Sequence, residues 1–103
     1  MATLTKRLRI LGRVFTITRN VDEENAGLCD KANGTINISP AQDEFSRKDT
    51  ELHEVMHAIL HQQGFDHPYP LEERFVRPLA TGVLTVLQDN PTWAKRLIER
   101  IKS

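Results

Sequence analysis

Of the 103 residues only one, Cys29, is a cysteine. No disulfide can close within the chain, and a reducing, cytoplasmic setting is the expectation. An excess of one charge is missing too. Fourteen Lys and Arg balance fourteen Asp and Glu, a formal net charge of +0 with neutral histidines. Such a chain has no bulk attraction for nucleic acid or for an anionic membrane surface, and neither is an expected partner. The basic residues Lys6, Arg7, Arg9 and Arg13 read instead as a solvated strand edge. The longest apolar runs fall far short of a membrane span. The segment 1–13 has no apolar h-region and no small-residue cleavage site, so it does not read as a signal peptide. Repeats and low-complexity segments are also absent.

Apolar residues make up 39% of the chain and come in patterned blocks, which argues against disorder. With a mass of 11.8 kDa, the chain reads as a single domain over 1–103. Its character changes once. Residues 1–45 are mainly strands and turns, and residues 46–103 are mainly helices. Residues 8–18, LRILGRVFTIT, are rich in β-branched and aromatic side chains, with a hairpin or bulge at Gly12 and Arg13. Asn33-Gly34 signals a hairpin between 27–31 and 35–39. In Thr35 to Ser39 the isoleucines alternate with polar residues, and Pro40 closes the strand. Ser46 or Asp49 can cap a first helix whose apolar residues include Leu52, Val55, Met56 and Ile59, with Gly64 as its stop. Pro70 opens a second helix with an apolar stripe from Phe75 and Val76 through Leu79 to Leu87, and Pro78 should kink it or cost it a hydrogen bond. Asn90-Pro91 opens a third, to about Lys102, with Trp93, Leu97, Ile98 and Ile101 inward. Strands followed by helices predict an α+β fold, a small antiparallel sheet followed by three helices.

The chemistry lies in His53-Glu54-Val55-Met56-His57, an H-E-x-x-H run on the first helix. Residues four apart on a helix sit about 40° round and ~6 Å along the axis. Two imidazoles can therefore converge on one zinc ion. Glu54 flanks the same face and can take a proton from a zinc-activated water. His61 offers a second frame, His57 with His61, Gly64 and His67. That frame places Ala58 where the base should be, so the His53/His57 frame is preferred. His61 is then a polar neighbour of the site or an exposed helix residue.

A catalytic zinc takes three protein ligands and keeps an open position. Glu72 and Glu73 are the candidates for the third, since a tight loop can bring the next helix back to the metal. Glu73 shares the apolar stripe of its helix and Glu72 lies near its other flank. The alternative for either is a solvated acid at a helix N-terminus. Asp66 and His67, in the loop, are outside candidates. Tyr69 is either a packed loop residue or an oxyanion donor. Cys29 reads as a small buried apolar residue.

The run Thr50 to His61 resembles the motif helix of the ImmA/IrrE-type metallopeptidases, small zincins common in phages and mobile elements. Glu72-Glu73-Arg74-Phe75-Val76-Arg77-Pro78-Leu79-Ala80 is similar to the helix that follows in that family, and Leu87 to Pro91 is similar to its ending in short phage-encoded members. The strand Thr35 to Ser39 sits where the family has its edge strand, and the resemblance covers roughly residues 27–95. It implies a minimal zincin-like domain. His53, His57 and Glu73 would bind Zn2+, Glu54 would be the general base, and a peptide or protein substrate would pair along the edge strand 34–39. The expected function is a zinc metallopeptidase, cytoplasmic and phage- or prophage-encoded. The alternative is a non-catalytic, zinc-stabilised protein-interaction module on the same scaffold.

Overall fold

The computed structural model describes residues 5–65 and 67–100. Four strands, β1 (Arg7–Ile10), β2 (Arg13–Thr18), β3 (Gly27–Asp30) and β4 (Thr35–Ile38), precede three helices, α1 (Glu44–Gln62), α2 (Tyr69–Asp89) and α3 (Pro91–Ile98). The architecture is the expected α+β.

The two-residue turn between β1 and β2 falls on Leu11 and Gly12, with φ of 48° and 88°. Two positive φ values in succession suit the twist of a tight hairpin. The β3–β4 hairpin also forms as predicted, antiparallel with Cys29 opposite Ile36. Its turn is longer than two residues: the Asp30 carbonyl accepts from the Gly34 N–H, and the Asp30 carboxylate accepts from the Asn33 backbone and side-chain amides.

The sheet corrects the sequence reading in two ways. Its order is β1-β2-β4-β3, and β2 pairs with β4 in parallel, so it is mixed rather than antiparallel. Strand β4 is therefore interior, paired on both sides, and 34–39 cannot be the edge that receives a peptide. The free edge beside α1 is β3. Asn37 helps to fix this arrangement. Its side-chain oxygen accepts from the Thr18 hydroxyl and the Asn20 N–H, and its amide donates to the Asn20 carbonyl. These bonds tie the end of β2 to β4 and send the following loop across to β3.

Alternation puts Ile36 and Ile38 on the covered face with Ile10, Phe15 and Ile17. Ala58 on α1 completes this core, with Val55 and Ile59 packed against it. At roughly 1.5–3 kcal/mol per fully buried large apolar side chain, this small cluster is the main drive that holds α1 to the sheet.

α1 starts two residues before Ser46. The N-cap is Asp43, whose carboxylate accepts from the Ser46 N–H at 2.8 Å and the Ser46 hydroxyl at 3.1 Å. Asp49 caps nothing; it accepts instead from the Thr81 hydroxyl at 2.7 Å and ties α1 to α2. The predicted stop holds. Gly64, at φ 71°, donates to the His61 carbonyl, and Phe65 donates to the Leu60 carbonyl, the paired bonds of a Schellman end. α2 runs on through Pro78, which is exposed, with Val76 and Ala80 buried. Phe75 and Leu79, expected on the inward stripe, face solvent at 68% and 59% exposure. α3 ends at Ile98 and has no buried residue. Trp93, Leu97 and Ile98 are exposed rather than inward; Ile101 lies outside the described residues.

Candidate metal centre

The helical spacing delivers what the motif requires. His53 and His57 lie one turn apart on α1, with their Nε2 atoms 3.2 Å from each other. The Schellman turn and the loop after it bring α2 back so that Glu73 reaches them. Its Oε1 lies 2.5 Å from His53 Nε2 and 3.2 Å from His57 Nε2. Among the described residues, this is the one group of three or more His, Cys, Asp or Glu side chains close enough to share a metal ion.

The three donors could hold a metal ion, though His53 Nε2 and Glu73 Oε1 stand closer than two ligands of one zinc would. Bonds of ~2.0–2.1 Å in a tetrahedron separate the donor atoms by roughly 3.3 Å, so two of the three separations already match. Two imidazoles and a carboxylate are also a donor set that zinc favours. Glu73 is set up as an anion. Partial burial pushes its carboxyl up, but the charge of His53 and hydrogen bonds from His57, Arg77 and Tyr69 outweigh that, and the net shift is downward.

Glu72 is neither a solvated acid nor a member of the donor cluster. It is buried at 5% exposure, and its Oε1 sits 2.6 Å from His57 Nδ1. Holding that ring nitrogen leaves Nε2 aimed at His53 and Glu73, as an outer-shell carboxylate does for a ligating histidine. Lys31, in the turn after β3, places its Nζ 3.9 Å from the same Glu72 oxygen. Sequence reasoning missed this Lys31–Glu72–His57 chain, because nothing in the spacing shows that the β3–β4 turn reaches α2.

Glu54 is buried beside the cluster. Burial raises its carboxyl above the ordinary range; the His53 and His57 charges pull it down, and Glu73 pushes it up. The Cys29 backbone N–H faces it and lowers it. Gly27 permits the close approach: a Cβ there would meet Glu54 Cγ at 3.0 Å and collide with the Thr50 methyl. The isolated Gly27 at the start of β3 was the available signal for this contact, which needed the partner helix to be read.

A hollow of about 610 Å³ lies along β3, lined by Gly27, Cys29, Lys31, Glu54, His57 and Tyr69 among others. A second, of about 290 Å³, adjoins it through Asn25, Gly27, Glu54 and Tyr69, and reaches His53 and Glu73. Together they form a cleft past the donor cluster with β3 as one wall. The Ala26 and Asp30 carbonyls are turned toward β4 and its flanking residues, accepting from Ser39 and Gly34, while the Cys29 N–H points to Glu54.

The remaining candidates fall as follows. Tyr69 is the first residue of α2. Its ring stacks on His57 at 5.7 Å between centroids and its hydroxyl donates to Glu73 Oε2. Burial, then the Glu73 charge, raises the phenol above its ordinary value. His61 is half-buried in the last turn of α1 and is not one of the three clustered donors. His67 packs edge-on to Phe65, away from the cluster. Asp66 lies outside the described residues. Cys29 is half-buried, its thiol pushed up to about 11 by burial and by the Glu54 charge. Among the described residues, no helix is long and apolar enough to cross a membrane. Compared with family models, with curated proteins and with solved structures, the chain matches none.

Proposed function

We propose that this protein is a zinc-dependent metallopeptidase of the ImmA/IrrE type. The observation that carries the reading is the convergence of His53 Nε2, His57 Nε2 and Glu73 Oε1, with the buried Glu54 carboxylate beside them on a cleft walled by a free strand edge. His53, His57 and Glu73 would hold the ion, and Glu72 would fix the His57 ring. Zinc, when bound, would supply Lewis acidity, making water a nucleophile near neutral pH and polarising the scissile carbonyl.

The chain's own residues do the rest. Glu54 takes the proton from the attacking water on its carboxylate and delivers it to the leaving amine. The substrate main chain lies along β3 and not β4, because only β3 has an unpaired side next to Glu54. Gly27 keeps that wall close to the carboxylate. The single, half-buried Cys29 accords with a cytoplasmic setting, and a phage or prophage origin rests on the family resemblance alone.

The test is metal content with peptide hydrolysis, on wild type, His57→Ala and Glu54→Gln. About one zinc per chain, lost in His57→Ala but kept in the inactive Glu54→Gln, is the expected outcome. Zinc bound with no hydrolysis of any peptide library, and Glu54→Gln indistinguishable throughout, would leave the interaction-module reading in its place.

A further inference from the structure

Four large apolar residues of α2 face water: Leu71, Phe75, Leu79 and Val86, at 42%, 68%, 59% and 49% exposure. At about 100° per residue they fall within roughly 80° of arc, a continuous outward stripe along the helix. Glu73 sits on the opposite side of α2, so the stripe is separate from the metal centre. Beside it, α1 and α2 frame an apolar groove of about 620 Å³ that Phe65 helps to line, along with Met56 and Leu60.

Gly82 lies in the middle of the stripe's arc. It has no positive φ, and a Cβ there would meet nothing within 4 Å. Glycine inside a helix weakens it, and nothing among the described residues requires one here. A glycine facing outward on an apolar stripe lets another backbone come close.

We propose that this face is a self-association surface, on which α2 of a second copy packs antiparallel about Gly82. Three observations select a second copy. The face is self-complementary: Phe75 and Leu79 stand as the outer rim of the apolar groove, so that the rim of one copy can enter the groove of the other, as a two-fold interface requires. Charge agrees as well. With Gly82 opposite Thr81 of the second copy, Arg74 and Asp89 of the second copy lie equally far from the crossing point. Both are exposed on the same flank of the stripe, so the axis generates the pair twice. Area is the third. Phe65 and the four stripe residues leave on the order of 500 Å² of apolar side chain in water, toward the upper end of the roughly 300–600 Å² that the largest patch of a monomer spans. Two such faces bring together on the order of 1,000 Å² of apolar surface, about what a specific interface has to clear. In this register Val86 of one copy lies level with the gap between Phe75 and Leu79 of the other.

The test is molar mass by sedimentation equilibrium over a micromolar to sub-millimolar series. Wild type should move from 11.8 kDa toward twice that mass. Phe75→Glu should stay monomeric throughout with unchanged helical circular dichroism. Arg74→Asp should weaken the dimer by about tenfold, and adding Asp89→Arg should restore it. Wild type that remains monomeric across the series, as it would if a different partner covers this face, overturns the proposal. So does a dimer that survives Phe75→Glu, or a charge reversal that the second reversal does not rescue.

Discussion

The two sides of α2 invert the usual partition of a surface helix. On the side turned toward α1, the first turns bury Glu72 and shield Glu73; on the side turned outward they expose Phe75 and Leu79. Both departures have physical causes. The buried acids are tolerable because every oxygen that is buried has a partner: His57 and Lys31 for Glu72, and the histidines, Tyr69 and Arg77 for Glu73. Unpaired, they would be neutralised or expelled. The exposed Phe75 and Leu79 have no such compensation among the described residues. A helix that buries acids beside Val76 and Ala80 on its inner side and leaves Phe75 and Leu79 outside is patterned for more than the packing of one monomer.

The sharpest way to break this contrast is on the inner side. Glu54→Gln keeps size and burial but removes the proposed proton acceptor. It should lower peptide hydrolysis by ~10²–10⁴-fold while zinc content stays at that of wild type. Equal loss of zinc and activity would mean that Glu54 helps to hold the site together instead of moving a proton.

Glu72→Gln probes the buried acid that touches no other donor than His57 and Lys31. If it orients the ring, competition with a chelator should show zinc affinity reduced by about 10–100-fold, with the fold intact. The corresponding Glu73→Gln should be worse, because it alters a proposed ligand. Equal effects would erase the distinction drawn here between the two neighbouring acids.

For stability the two sides should separate cleanly. Ala80 has no exposed surface, and Ala80→Leu should cost ~1–3 kcal/mol by overpacking the α1–α2 contact. Phe75→Ser, in protein dilute enough to be monomeric, should stay within about 0.5 kcal/mol of wild type. Chemical denaturation of both decides it; a larger loss from Phe75→Ser would mean that the outward ring supports the monomer after all.

Much of this was legible in the sequence, and what was not has a common cause. The H-E-x-x-H spacing, the Gly64 stop and the hairpin before Thr35 are local signals, set by helix period and backbone chirality, and all three appear in the structure. The parallel β2–β4 pairing was not legible, since it depends on an Asn37 side chain reaching back to Thr18 and Asn20. Nor was the exposure of Phe75 and Leu79: their spacing fits a stripe, but a wheel carries no label for which stripe is covered. Glu72 and Glu73 show the same limit from the site's side. Adjacent on the chain, they could be told apart only once Lys31 and both faces of His57 were in view.

Asp43 extends the comparison to a carboxylate that water surrounds. Hydrogen bonds from the Ser46 backbone N–H, then from its hydroxyl, hold this exposed cap below its ordinary value of 3.8. A folded-state value below the unfolded one means that the ionised cap stabilises the protein above about pH 3.8. That contribution is lost as pH falls through the lower folded value. Asparagine caps a helix about as well but does not titrate, and it gives up only the favourable charge at the helix N-terminus. Asp43→Asn should therefore melt slightly below wild type at neutral pH, with the gap closing as the solution is made more acid. Melting curves across that range read the difference directly. A gap that stays constant down to strongly acid solution would mean that the capping geometry alone, and not the ionised carboxylate, fixes the start of α1.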